Sequence, residues 1–290
     1  MIPSRVIGGR YVLLSEIRYG RMGAVWRAED RLTRREVAVR ELQLPAGLAP
    51  ADRAQFRDRL LRDARTAGRL RHPGIGAVHD VITDDDIDHV VSELIEARTL
   101  AATVAEDGPL TERPATTVGR QVLSALRTAH GSGLLHRDVA PDNVLLGRDG
   151  RVVLTGFGIA AALEGLPLPA PFAGPVGYTA PERLAGAPAS AAADLWALGA
   201  TLFHAVEGAG PYERATAAET LEALTHADLP RTRCRGPLGS VIVGLLARSP
   251  QGRLSAEQAA ALLDAAAGGA ASARGVLTWW RWSRRRPPIG

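Results

Sequence analysis

The sequence predicts an α+β protein built in two parts, a small β-rich portion with one helix followed by a larger, mainly α-helical portion. Three patterns carry this reading. Short β-branched or alternating apolar runs fill most of the first hundred residues. One stretch among them, Ala51–Leu70, has helical rather than strand periodicity. Beyond residue 110 most segments repeat their apolar residues at helical spacing.

In order, Tyr11–Ile17, Gly23–Glu29 and Glu36–Leu42 read as strands separated by Gly- or Arg-rich turns. In Ala51–Leu70, Phe56, Leu60, Leu61, Ala64, Ala67 and Leu70 recur every three or four residues, with arginines and acids on the other face. That is an amphipathic helix with one side in a core. Gly76–Thr83 and Ile87–Leu94 read as two further strands joined by the acidic turn Asp84-Asp85-Asp86. Thr111–Gly131, Ala191–Gly208, Ala215–His226, Pro237–Ala247 and Ser255–Ala267 are the helices of the second part, and Ser255 with Gln258 forms a capping-box pattern. Between the first two lies a strand–loop–strand stretch, Leu134 to Phe157. The expected division is 1–95, 96–267 and a linker with a basic Trp/Arg tail over 268–290.

A hydrophobic fraction of 46% with 23% charged residues excludes a disordered chain. A single cysteine, Cys234, excludes an internal disulfide framework and suits a reducing compartment. Met1–Tyr11 lacks the apolar stretch of a secretory signal, and no apolar run is long enough to span a bilayer. The expected location is therefore cytoplasmic. All 35 basic residues are arginine; there is no lysine. The net charge of +4 is local, because five arginines and no acid lie beyond Asp264, leaving 30 arginines against 31 acids in the rest. A near-neutral body argues against nucleic acid as a partner. The tail Trp279-Trp280-Arg281-Trp282-Ser283-Arg284-Arg285-Arg286 joins aromatics with cations. It is expected either to rest at an anionic membrane surface or to stay solvated.

His136-Arg137-Asp138-Val139-Ala140-Pro141-Asp142-Asn143, followed thirteen residues on by Gly156-Phe157-Gly158, resembles the catalytic loop and metal-binding motif of protein kinases. Gly20, Gly23 and Val25, then Ala180-Pro181-Glu182, Asp194-Leu195-Trp196-Ala197-Leu198-Gly199 and Arg253 stand around it in the family's order, over about residues 8–266. The chain is similar to the kinase domains of actinobacterial receptor-type Ser/Thr kinases. The resemblance implies a two-lobed protein-kinase-like fold and ATP as nucleotide. It implies Asp138 as catalytic base, Asn143 as a metal-binding amide, and Gly20 and Gly23 over the phosphates. Val25 and Ala38 would roof the adenine slot, Leu145 would floor it, and Glu93-Leu94-Ile95 would be the hinge that hydrogen-bonds the base. Asp194 would pin the catalytic loop, and Glu182 would pair with Arg253.

The departures from the family's pattern fall on charge. Arg40, in Val37-Ala38-Val39-Arg40, stands where the family has its phosphate-binding lysine. It keeps the charge as a wide planar fork, with Asp63 as its expected partner. Ala140 replaces a second lysine, and Gly156 replaces the aspartate that binds Mg²⁺. Mg²⁺ wants carboxylate and phosphate oxygens in octahedral geometry, and Asn143 alone is a weak anchor. Ile159 to Gly177 contains no Ser or Thr, and Pro167, Pro169, Pro171 and Pro175 are expected to stiffen it. The expected protein is a catalytically impaired pseudokinase. It would act as a regulatory or scaffolding partner, bind nucleotide weakly or without metal, and leave Mg²⁺ unused. Its partner would be an active kinase, an adaptor or a second copy. The competing reading keeps Asp138 and Asn143 as base and metal ligand of slow ATP-dependent Ser/Thr phosphorylation.

Overall fold

The computed structural model describes residues 5–20, 22–45, 47–166 and 176–268. The four prolines of the Pro-rich segment and the Trp/Arg tail lie outside them. The strands are β1 (Val6–Ile7), β2 (Tyr11–Gly20), β3 (Gly23–Asp30), β4 (Arg35–Leu42), β5 (Val78–Asp84), β6 (Ile87–Glu93), β7 (Ala97–Thr99), β8 (Val144–Gly147) and β9 (Val152–Leu154). The helices are α1 (Pro50–Arg69), α2 (Leu100–Asp107), α3 (Glu112–Gly131), α4 (Ile159–Leu163), α5 (Pro181–Leu184), α6 (Ala191–Glu207), α7 (Ala217–His226), α8 (Gly236–Leu245) and α9 (Ala256–Gly268). The chain forms two compact units. The first gathers residues 5–71, 75–95 and the described chain from Gly156, and the second gathers the rest. Residues 156–166, expected with the second part, thus pack with the first.

In the first unit six strands form an antiparallel sheet in the order β1-β2-β3-β4-β6-β5. Strand periodicity sends alternate side chains of β4 to opposite faces. Val37 and Val39 join Ile7, Tyr11, Leu13, Ala28 and Val91 in one cluster. Leu42, two residues beyond Arg40 on the other face, joins Val90 and receives Phe56 and Leu60 of α1. Proline at the first position of α1 suits a site whose N–H has no helical partner. β1 escapes the sequence reading because two residues cannot show alternation; it exists through its pairing of Val6 with Val12 and Ile7 with Tyr11.

In the second unit β7, β8 and β9 form a small antiparallel sheet. α6 is buried along most of its length, starts on Ser190, whose hydroxyl accepts from the Ala193 N–H, and ends at Gly208 in the left-handed conformation. The capping box expected at Ser255 is formed, with Ser255 N–H donating to Gln258 Oε1 at 2.9 Å and Gln258 N–H to Ser255 Oγ at 3.3 Å. α2 is an addition. It is only eight residues long, and its start signal is Thr99, whose hydroxyl accepts from the Ala102 N–H. Among the described residues no helix is long and apolar enough to cross a membrane.

Candidate active site

The loop carrying Asp138 and Asn143 is built from the second unit alone. Asp194, near the start of α6 and 2% exposed, accepts from His136 N–H (2.9 Å) and His130 Nε2 (2.8 Å) at Oδ2, and from Arg137 N–H (2.7 Å) at Oδ1. A carboxylate buried this deeply is tolerable because polar donors satisfy it, and hydrogen bonds to a charged acceptor are the stronger kind. They hold Arg137 at a φ of 66°, a left-handed conformation that L residues avoid.

His136 is fully buried and its two ring nitrogens have different tasks. Its Nδ1 accepts from Asp138 N–H at 3.2 Å, and its Nε2 lies 3.0 Å from the Thr155 carbonyl, which can only accept. The ring is therefore the neutral Nε2–H tautomer. Burial also pushes its pKa below the usual histidine value, which agrees with that assignment. The imidazole thus ties Asp138 to the end of β9.

Asn143 is buried in the short 3₁₀ turn Pro141–Asn143. Its amide nitrogen donates to the Asp138 carbonyl oxygen (2.8 Å) and to Asp138 Oδ2 (2.9 Å). Both amide hydrogens are thereby used on Asp138. All that Asn143 can offer a cation is Oδ1, a neutral ligand. Ala140, 2% exposed, precedes this turn, and its carbonyl accepts from the Asn143 N–H at 2.9 Å. Leu145 follows on β8, opposite Val153 of β9. Glu182 and Arg253 form a two-pronged ion pair at 2.6 and 2.9 Å. Burial raises the Glu182 carboxyl, but the Arg253 fork, its own backbone N–H and the nearby Arg183 charge together hold its pKa below the ordinary value.

The remaining candidates lie in the first unit. Val25 of β3 faces Arg40 of β4, and Ala38 faces Ser92 of β6, so Val25, Ala38, Arg40 and Ser92 share a sheet face. Glu93 ends β6 and Ile95 follows it; both are half-buried. Gly20 and Gly23 pair across a two-residue loop. The two glycines differ. At Gly23 a Cβ would come 2.5 Å from the Glu41 carbonyl oxygen, so the fold itself demands glycine. At Gly20 a Cβ would meet nothing within 4 Å, so the fold does not.

Gly156, at a φ of 93°, offers no side-chain oxygen. The chain that follows turns at Gly158 into α4, whose Ile159, Ala162 and Leu163 join Met22, Leu42, Phe56, Leu60 and Val90 in one core. A Cβ at Gly158 would lie 3.1 Å from the Cβ of Asp63, and Arg59 donates to the Glu164 carbonyl beyond the end of α4. The α1 face that carries Asp63 is therefore lined by α4. The sequence reading missed this helix: five residues are too few for periodicity to register.

Of the two positions that the motif reserves for metal, one presents a neutral amide oxygen and the other no side chain.

A protein-family model, that of the protein kinase domain, matches residues 11–262. The chain belongs to the protein kinase family, and bacterial Ser/Thr protein kinases are among the relatives it matches. It is 33% identical over 239 residues to the serine/threonine-protein kinase PrkC of Bacillus subtilis, an alignment covering 82% of this chain and 36% of that protein. It is 37% identical over 213 residues to PknA of Mycobacterium tuberculosis, covering 71% of this chain and 48% of PknA. It is 38% identical over 207 residues to PknE of the same species, covering 71% and 36%. The chain thus spans between about a third and a half of the length of these relatives. The family transfers phosphate from ATP, usually with Mg²⁺.

Proposed function

We propose that this domain is a catalytically impaired member of the family, a pseudokinase that acts as a regulatory or scaffolding partner for another protein. The observation that carries this reading is the contrast inside one motif set. Asp194, His136 and Asn143 keep a fully bonded catalytic loop, while Gly156 supplies no carboxylate and α4 fills the adjoining face of α1. Phosphoryl transfer is mainly positioning and charge stabilisation, and losing one such group costs roughly 10²–10³ in rate. Here Gly156 and Ala140 lack the charge outright and Arg40 changes its shape. Nucleotide, where bound, uses the β3–β4 face that carries Val25 and Ala38, without metal.

A second reading, slow ATP-dependent Ser/Thr phosphorylation, draws support from the 2.9 Å bond between Asn143 and Asp138, which keeps the base and one amide ligand together. Intact-mass measurement of the purified chain with ATP, Mg²⁺ or Mn²⁺ and a generic protein substrate separates the two. No incorporation is expected. Phosphate transfer that disappears in Asp138→Ala overturns the pseudokinase reading. Restoring Gly156→Asp, Ala140→Lys and Arg40→Lys together is expected to raise transfer above background, since Asp tolerates left-handed backbone better than most residues. A thermal-shift titration with ATP, with and without Mg²⁺, checks the nucleotide. Stabilisation that requires Mg²⁺ overturns the metal-free reading.

A further inference from the structure

We propose that the C-terminal half of α1 is a docking stripe for an acidic segment of a partner protein. This names the chemistry of the partner and rests on the partner-binding function above. α1 carries six arginines, and its two halves treat them differently. Arg53 donates to the Pro45 carbonyl at 3.2 Å, Arg57 pairs with buried Asp88 at 2.7 Å, and Arg59 donates to the Glu164 carbonyl. Arg62, Arg65 and Arg69 are exposed and have no acceptor among the described residues, nor has Arg71 just past the helix end. Positions 62, 65 and 69 follow i, i+3, i+7 spacing, so the three guanidinium groups line one side of the helix over ~10 Å.

Like charges at this spacing repel and destabilise an isolated helix. The helix dipole offsets this in the last turn, at Arg69, but not at Arg62 a full two turns earlier. Three forks in a row match carboxylates two-prongedly, the geometry at which arginine exceeds lysine. A nucleic acid fits less well. The stripe offers no exposed aromatic for base stacking among the described residues, and the chain up to Asp264 is close to neutral in net charge. An acidic segment seated here would lie on the helix that also carries Asp63 and packs α4, so binding bears directly on the degenerate site.

The test is fluorescence anisotropy of the full chain with a labelled twelve-residue poly-glutamate peptide at 50 and 200 mM NaCl. Binding is expected at low salt, and R62E/R65E/R69E should weaken it at least tenfold. R31E/R35E/R148E, with the same charge change away from α1, should change it less than threefold. R62A/R65A/R69A, with an unchanged melting temperature, guards against a folding defect. Equal loss in both triple-Glu variants overturns the proposal, because the peptide then senses only net charge. A labelled single-stranded oligonucleotide that binds as tightly through the same three residues also overturns it, in favour of polyanions in general. So does self-association abolished by D84R/D85R/D86R, which makes a second copy the occupant. Phosphotransfer in the intact-mass assay with the stripe still binding would remove the pseudokinase reading and leave the docking surface standing.

Discussion

The loop 134–155 and the segment 156–166 adjoin in sequence and are held by opposite physics. In the first, polar groups do the holding: Asp194 takes three donors, His136 uses both nitrogens, and Asn143 spends both amide hydrogens on Asp138. In the second, apolar packing does it, with Ile159, Ala162 and Leu163 set into the core beneath α1. Loss of the metal carboxylate at Gly156 is thus followed by a stretch that serves the hydrophobic core of its own unit. The retained charges persist where the fold needs them as braces. At Ala140 and Gly156 the charged residue of the family's pattern is absent.

Removing the carboxylate in Asp194→Ala should be the most damaging change on the polar side. It strands the buried His136 N–H, removes the acceptor of the Arg137 N–H and releases Arg137 from its left-handed conformation, at a cost of about 3–5 kcal/mol in chemical denaturation. A loss below about 1 kcal/mol would mean the loop is braced elsewhere. On the apolar side, Leu60→Ala should cost about 2–5 kcal/mol, and Leu163→Ala somewhat less because it lies at the cluster margin. Hydrogen exchange should then quicken in α4 in both variants while the amides of 136–143 keep their protection. Coupled loss of protection in the two segments would erase the contrast.

Gly158→Ala should cost about 1–2 kcal/mol, because φ is +86° and the added Cβ meets Asp63 at 3.1 Å. Equal stability would show that α4 moves off α1 easily. The smallest effect at neutral pH comes from histidines. His136, His89, His204 and His72 all have pKa values that burial lowers from 6.5. The unfolded chain then binds more protons than the folded one below pH 6.5, so their full stability is present above that pH and is lost as pH falls toward the lowered values. Melting temperature should fall steadily from pH 6.5 to 5. His89, with both ring nitrogens buried, makes the first unit a contributor alongside the second. A flat profile would contradict the buried neutral rings.

Much of the fold was legible because its signals are short-range. The 3–4 spacing of Phe56, Leu60, Ala64 and Ala67 placed α1, and Ser255 with Gln258 marked the start of α9 to the residue. α2 and the Thr216–Glu219 capping box of α7 left local signals that went unread. β1 and α4 left almost none, since two and five residues are too few for a period.

The order of the motifs, the absence of lysine, and the missing charges at Ala140 and Gly156 are properties of the sequence by itself, and with them the family. What tertiary structure alone decided is which groups those residues meet. Asp194 reaches the backbone 58 residues before it, and Gly158 lies against Asp63 on α1. Local rules act over a few residues along the chain. A tautomer, a spent amide hydrogen or a row of arginines with no acceptor among the described residues is set by neighbours brought in from far along it, and these appear only once the chain has folded.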